Sequence, residues 1–254
     1  MSVLVEKDGP VTTVIIDRPA LRNAVDPATA EVLRATFAAF EADADAQVAV
    51  LTGAGGQFCA GFDLKALAGG GVSYDPDGEG PMGPTRRLLA KPVLAAVEGY
   101  AVAGGLELAL WCDLRIAAEG AIFGVFCRRW GVPLIDGGTV RLPRIVGQGR
   151  ALDLILTGRP VGAGEALAMG LANRVVPDGQ ARAEAEKIAQ AIARFPQLCL
   201  RTDRTSAYAG WDGTLGEALL AEALAGAAPV REGAAEGALR FADGRGRSGD
   251  FGDI

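Results

Sequence analysis

The run from residue 92 to residue 117 narrows the fold of this chain more than any other. Residues 92–97 are apolar like a buried strand, Gly104-Gly105 makes a hinge, 105–111 read as an apolar helix and 114–117 as the next strand. Strand, loop, helix, strand is the α/β pattern. The same order sets the first-turn N–H groups of a helix, with the positive end of its dipole, beside a strand terminus.

The flanking segments extend the pattern. Residues 3–5 and 11–17 are β-rich and flank Asp8-Gly9-Pro10, which reads as a hairpin turn. Asp26-Pro27 is an N-cap followed by proline at the first helical position, and Val32, Leu33, Phe37 and Phe40 follow helical spacing to an end near Asp43. Residues 48–51 predict a short buried strand. The glycines from 53 to 56 open a loop into a helix near Leu64, and 121–123 form a further strand. Residues 68–84 hold too many breakers for regular structure and predict a mobile loop or lid. Beyond Asp136 the sequence turns helical, over 151–156, 163–168, 181–193, 197–209, 214–225 and 232–241, with 173–176 as the one strand. The polar, glycine-rich stretch 243–250 is expected to fray unless docked.

Composition removes several classes of function. The chain of 254 residues has no histidine, so Ser-His-Asp and Cys-His triads and mixed Cys/His zinc sites are excluded, and proton transfer falls to other groups. A net charge of -6 argues against a nucleic-acid groove, while local arginines and helix N-termini can still hold anions. The four cysteines, Cys59, Cys112, Cys127 and Cys199, lack paired metal-ligand spacing and read as reduced thiols of a cytoplasmic protein with no metal. The N-terminus lacks the apolar core of a signal peptide, and the apolar stretch 92–111 is interrupted by Glu98, Glu107 and glycines. No secretion signal or membrane span is expected.

Three segments can carry chemistry. A lone Gly104-Gly105 is most simply a tight turn, but a second hinge at Gly61-Phe62 lies between a strand and a helix and allows another amide to aim at the same point. Glu107 has almost only apolar neighbours, so burial should raise its pKa towards neutrality, as suits an acid or base; otherwise it is a first-turn glutamate favoured by the helix dipole. Asp136, before Gly137-Gly138-Thr139, is by default an N-cap, and pairing with Glu107 across a site would make it catalytic. Cys127 reads as a small buried residue unless Arg128 and Arg129 point inward and lower its thiol pKa. A dinucleotide fingerprint fails because Phe58 stands where its third glycine belongs, and no P-loop is present.

Residues 18–24 (RPALRNA), 58–64 (FCAGFDL), 99–109 (GYAVAGGLELA), 112–117 (CDLRIA), 144–147 (RIVG) and 156–158 (LTG) together resemble the crotonase superfamily, the enoyl-CoA hydratase/isomerase family. The resemblance implies an α/β, ClpP/crotonase-like spiral of ββα units over residues 1–195. Over 196–254 it implies C-terminal helices that close the site and self-associate into a homotrimer or hexamer. It implies that the N–H groups of Phe62 and Gly104 hold a thioester oxygen, that Ala60, Gly61 and Asp63 lie near the adenine of an acyl-CoA, and that Arg22 lies near its phosphates. One catalytic glutamate of the family's hydratases falls at Glu107. The second falls at Cys127, where the glutamate is absent. Asp136 stands where dienoyl-CoA isomerases and a β-diketone hydrolase of the superfamily carry a catalytic aspartate. Near the C-terminus, where members often place a lysine three residues after a phenylalanine, Phe241 is followed by Ala242-Asp243-Gly244, with Arg245 the nearest cation.

The expectation is therefore a hydratase of 2-enoyl-CoA thioesters with Glu107 and Asp136 as its carboxylates, and Phe126, Cys127, Trp130 and the 68–84 loop around the acyl group. Coenzyme A enters as part of the substrate and no separate cofactor is needed. An enoyl- or dienoyl-CoA isomerase and a silent acyl-CoA binder stay open as alternatives, with a dehydrogenase as a distant third.

Overall fold

A computed structural model describes residues 2–70 and 74–247. Residues 71–73 of the expected loop and 248–250 of the expected fraying tail lie outside the described residues. The chain divides into two units, Met1–Ala189 and Gln190–Ile254, so the division falls inside a helix and ahead of the expected boundary at 195.

The first unit begins with β1 (Val3–Asp8), β2 (Val11–Ile16), α1 (Pro27–Ala42), β3 (Val48–Gly53), α2 (Leu64–Ala68), β4 (Val93–Val97), β5 (Tyr100–Val102), α3 (Gly104–Trp111), β6 (Leu114–Ala118) and β7 (Ile122–Gly124). It continues with a 3-10 turn (Phe126–Trp130), α4 (Gly138–Val146), α5 (Gln148–Thr157), β8 (Val161–Gly162), α6 (Ala163–Ala168), β9 (Arg174–Val176) and most of α7 (Ala181–Ala193).

Six strands form one sheet in the order β1-β2-β3-β4-β6-β9. Only β1 and β2 pair antiparallel, as the hairpin around Gly9 requires; the other pairings are parallel, with Val14 opposite Leu51 and Leu94 opposite Leu114. Parallel interior strands are covered on both faces, which is why β2, β3 and β4 are buried almost throughout and read as continuous apolar runs. In contrast, β1 buries only Val3 and exposes Glu6 and Lys7, the charged pattern of a protected edge. On α1, capped by Asp26 through the Thr29 N–H (2.8 Å), the face turned inward is Ala30, Leu33, Phe37 and Phe40. Val32, expected on that face, is exposed.

In a smaller sheet, β5-β7-β8, the strand expected at 121–123 is β7, while β5 and β8 escaped the sequence reading at three and two residues long. Beyond Asp136, β8 is a second strand where one was expected. Parallel bridges Cys59↔Ala101 and Val25↔Phe62 attach the 59–62 loop to β5 and to the segment before α1. That attachment fixes where the Phe62 amide points.

The second unit contains α8 (Gln197–Ala209), α9 (Leu215–Pro229) and α10 (Ala235–Ala242). Thr214 and Glu217 form a reciprocal capping box at the start of α9. The expected gap after 225 is instead bridged by a π turn, Val230–Ala234, directly after Pro229, which lacks the N–H that regular helix would use. No helix among the described residues is long and apolar enough to cross a membrane.

Candidate active site

The two glycine hinges converge. Gly61 adopts φ +99°, and a Cβ there would lie 2.9 Å from both the Gly104 nitrogen and the Ala103 Cβ. Glycine therefore allows the 59–62 loop to touch the start of α3. Gly105 packs as closely on the other side, since a Cβ would collide with the Cys59 carbonyl oxygen. Ala103, before the hinge, holds φ 53° and ψ −126°, a conformation that costs a non-glycine residue about 1–3 kcal/mol and that marks functional sites. Its N–H donates to the Gly124 carbonyl of β7 at 2.9 Å, which helps to hold the strained turn. The Phe62 and Gly104 N–H groups have no acceptor among the described residues, and both residues line one cavity of about 550 Å³. Two unpaired amides opening on one cavity are the donors an oxyanion needs.

Glu107, on the first turn of α3, opens on the same cavity. It is 2 % exposed, and its Oε1 accepts the Asp136 and Gly138 N–H groups, each at 2.9 Å. Glu107 thus caps α4 from another element. Asp136, also 2 % exposed, does not cap that helix: Gly137 is its N-cap, and Asp136 Oδ1 accepts the Met82 N–H at 3.0 Å and the Thr85 hydroxyl. Glu107 Oε2 and Asp136 Oδ2 take no hydrogen bond from the described residues.

Burial, and then the charge of Asp136, raise the Glu107 pKa to about 7 against the opposing pull of the two N–H bonds and Arg141. Burial also raises that of Asp136, while the Thr85 and Met82 hydrogen bonds and the charges of Arg86 and Arg141 work to lower it. Near neutral pH such a pair holds one proton between two carboxyls, which gives it an acid and a base together.

The remaining expected residues divide. Arg22, Ala60, Asp63, Phe126, Cys127 and Trp130 line the cavity. Arg22 lies over the Tyr100 ring, 5.4 Å from its centroid. Asp63 is engaged with Arg18 (3.2 Å) and caps α2 through the Lys65 N–H (3.0 Å). Gly61 does not line the cavity; it packs behind it, where its missing side chain brings the two amides together.

Cys127 is the small buried residue that the sequence suggested, and the condition for a reactive thiol is not met. Its thiol is buried and pushed up by that burial and by the charge of Glu107. Arg128 and Arg129 turn away, to the carbonyls of Ile155 (3.0 Å) and Gly158 (3.3 Å). Cys59 is pushed up to about 12 by burial, so in both thiols burial works against the thiolate that a nucleophile needs. Among the described residues no cluster of Cys, Asp and Glu could hold a metal ion.

Sequence reasoning missed Met82, Thr85, Arg86 and Arg141, which surround Asp136 from outside its own segment. Arg141 donates to the Asp136 carbonyl (3.0 Å) and the Thr85 carbonyl (2.6 Å). No local pattern marks these partners, because they meet Asp136 across about fifty residues of chain or through a helical turn.

An α/β core that opens unpaired amides and a buried carboxyl pair on one largely apolar cavity defines a small-molecule site of the acyl-handling kind. The profile of the enoyl-CoA hydratase/isomerase family matches residues 6–247, and the chain belongs to that family. It is 42 % identical over 201 residues to enoyl-CoA hydratase EchA19 of Mycobacterium tuberculosis, covering 75 % of this chain and 74 % of that protein. It is 36 % identical to (E)-benzylidenesuccinyl-CoA hydratase of Thauera aromatica, covering 87 % of each. The crystal structure of enoyl-CoA hydratase EchA1 from Mycobacterium marinum superposes with a TM-score of 0.89 at 36 % identity, covering 95 % of this chain and 96 % of that one. The crotonase fold is thereby shown.

Proposed function

We propose that this chain is an enoyl-CoA hydratase, adding water reversibly to a 2-enoyl thioester. The observation that carries the reading is the coupling of the two buried carboxyl groups: Asp136 donates its N–H to Glu107, each side chain keeps one oxygen free of hydrogen bonds from the described residues, and both residues line the cavity that the unpaired amides share. Water oxygen bonds to C3 while the ionised carboxylate of the pair takes its proton. The C2–C3 π electrons move onto the thioester oxygen, where the Phe62 and Gly104 N–H groups meet the enolate charge. The protonated carboxyl then gives its proton to C2 as the thioester carbonyl reforms, so that water has added and one proton again resides on the pair.

Coenzyme A arrives as part of the substrate. Arg22 is a cavity cation offered to its phosphates, and Ala60 and Asp63 are the cavity residues assigned to its adenine. The apolar wall at Phe126, Cys127 and Trp130 receives the acyl group. Relatives named as hydratases support this reading. We also propose self-association into a trimer or hexamer through the second unit, whose Leu215, Leu219, Leu220 and Leu224 are exposed. Four free cysteines support a cytoplasmic protein.

A panel of 2-enoyl-CoA esters tests the activity through loss of conjugated-thioester absorbance. Wild type should turn over at least one ester, and Asp136→Asn should lose about 10²–10⁴-fold. The substitution of Cys127 where hydratases carry a second glutamate favours one other reading, an isomerase in which the pair only shuttles a proton. Solvent ¹⁸O appearing in the product sinks the isomerase. Tight acyl-CoA binding without turnover of any ester sinks both and leaves a silent binder.

A further inference from the structure

Arg86 lies outside the carboxyl pair but is bonded to both stretches of chain that shape it. Its Nη1 donates to the carbonyls of Asp75 (3.1 Å), Pro76 (2.9 Å) and Gly78 (2.7 Å). Its Nη2 donates to the Tyr74 hydroxyl (3.3 Å) and to the carbonyl of Ile135 (3.2 Å), the residue before Asp136. The guanidinium also sits 5.7 Å from the centroid of the Tyr74 ring, and Tyr74 and Ile135 both line the cavity. A planar fork can join loop and turn in this way; the compact ammonium of a lysine cannot hold both with one geometry. Close packing fixes the loop on the same target, since a Cβ on Gly80 would fall on the Thr85 hydroxyl and on Asp136 Oδ1.

The charged groups facing the pair come from every side. Glu107 on α3 opposes the charge of Asp136, Arg141 on α4 and Arg86 on the loop favour it, and the thiol of Cys127 faces Glu107 from the 3-10 turn. Arg141 is anchored within the turn and beside Thr85. Arg86 also reaches residues 74–78.

We propose that Arg86 is a positioning residue for this site: it ties residues 74–78 to the Ile135-Asp136 turn, sets Tyr74 in the cavity wall and fixes where the Asp136 carboxyl stands. The tether stands on geometry, the pull of the Arg86 charge on Asp136 follows from where that tether holds the guanidinium, and the kinetic consequences rest on the hydratase reading.

Two variants separate the parts. Arg86→Lys keeps a cation without the fork, and Arg86→Gln keeps neither. Asp136 is titrated by carboxyl ¹³C NMR, with Asp136→Asn identifying its signal, and kcat and KM are measured against pH for short- and long-chain 2-enoyl-CoA esters. In Arg86→Gln the Asp136 titration should move up by about one unit, with the acid limb of kcat moving alongside. Arg86→Lys should leave both in place. Both variants should raise KM several-fold for the long-chain ester and less for the short one, because the tether of the wall is lost in each.

An unchanged Asp136 titration in Arg86→Gln overturns the electrostatic role, and unchanged KM for the long-chain ester in both variants overturns the tether. A matched fall in Tm in the two variants, with pH limbs and KM unmoved, reduces Arg86 to a structural residue and overturns the proposal. Should wild type hydrate no ester, the hydratase reading fails, and the NMR titration still decides whether Arg86 governs Asp136.

Discussion

Glu107 accepts two backbone N–H bonds that favour its charge, yet burial and the neighbouring Asp136 hold its pKa at about 7. Because the folded value stands above the ordinary 4.5, the stability linked to its proton is fully present below about pH 4.5 and is lost as the pH rises through about 7. The loss amounts to about 3 kcal/mol. Glu107→Gln should therefore melt above wild type at pH 8 and level with it at pH 4, since the amide oxygen can still accept both N–H groups. The same variant should lose about 10²–10⁴-fold in turnover. A wild-type Tm that does not fall between pH 4.5 and pH 8, apart from what the variant also shows, would refute the raised pKa. The apolar neighbours of Glu107 announced its burial in the sequence. Nothing local announced that its oxygen would cap α4.

Most of the longer strands and helices were legible, because burial on one or both faces writes a period into the sequence, although nine-residue α4 was not placed. The capping at Asp26 and the hinge before α3 were legible for the same local reason. Missing were β5, β8 and the 3-10 turn at Phe126–Trp130, which are too short to carry a period. Loop placement also depends on distant side chains. Buried Asn23 accepts the Arg18 N–H (2.9 Å) and donates to the carbonyls of Ala54 (2.9 Å) and Gln57 (2.6 Å), so it anchors the chain that leads to Phe62. Asn23→Ala leaves these backbone groups unpaired and keeps the left-handed φ of 57°. It should cost about 3 kcal/mol, read as a lowered midpoint in urea. Since Phe62 sits at the end of that anchor, kcat should fall as well at a temperature where the variant is fully folded. An intact kcat would show that the amide is positioned by the two β-bridges alone.

The second unit exposes Leu215, Leu219, Leu220, Leu224, Leu239 and Phe241, more apolar surface than a small helical unit keeps in water. Wild type should run at about three or six times 26.0 kDa in light scattering, and Leu219→Glu with Leu224→Glu should shift it towards one. A wild-type monomer would sink the self-association. The α/β order, the two glycine hinges and a desolvated Glu107 all follow from neighbours along the chain, so composition and spacing were sufficient to reveal them. Which amides remain unpaired, which carboxyl comes to lie with Glu107 and which arginines surround it depend on groups brought together from far apart in sequence. Asp136 meets Glu107 across 29 residues and Thr85 across 51. Hydrogen bonds and electrostatic interactions act over a few ångströms in space, whatever the separation along the chain, and so only the folded arrangement could decide them.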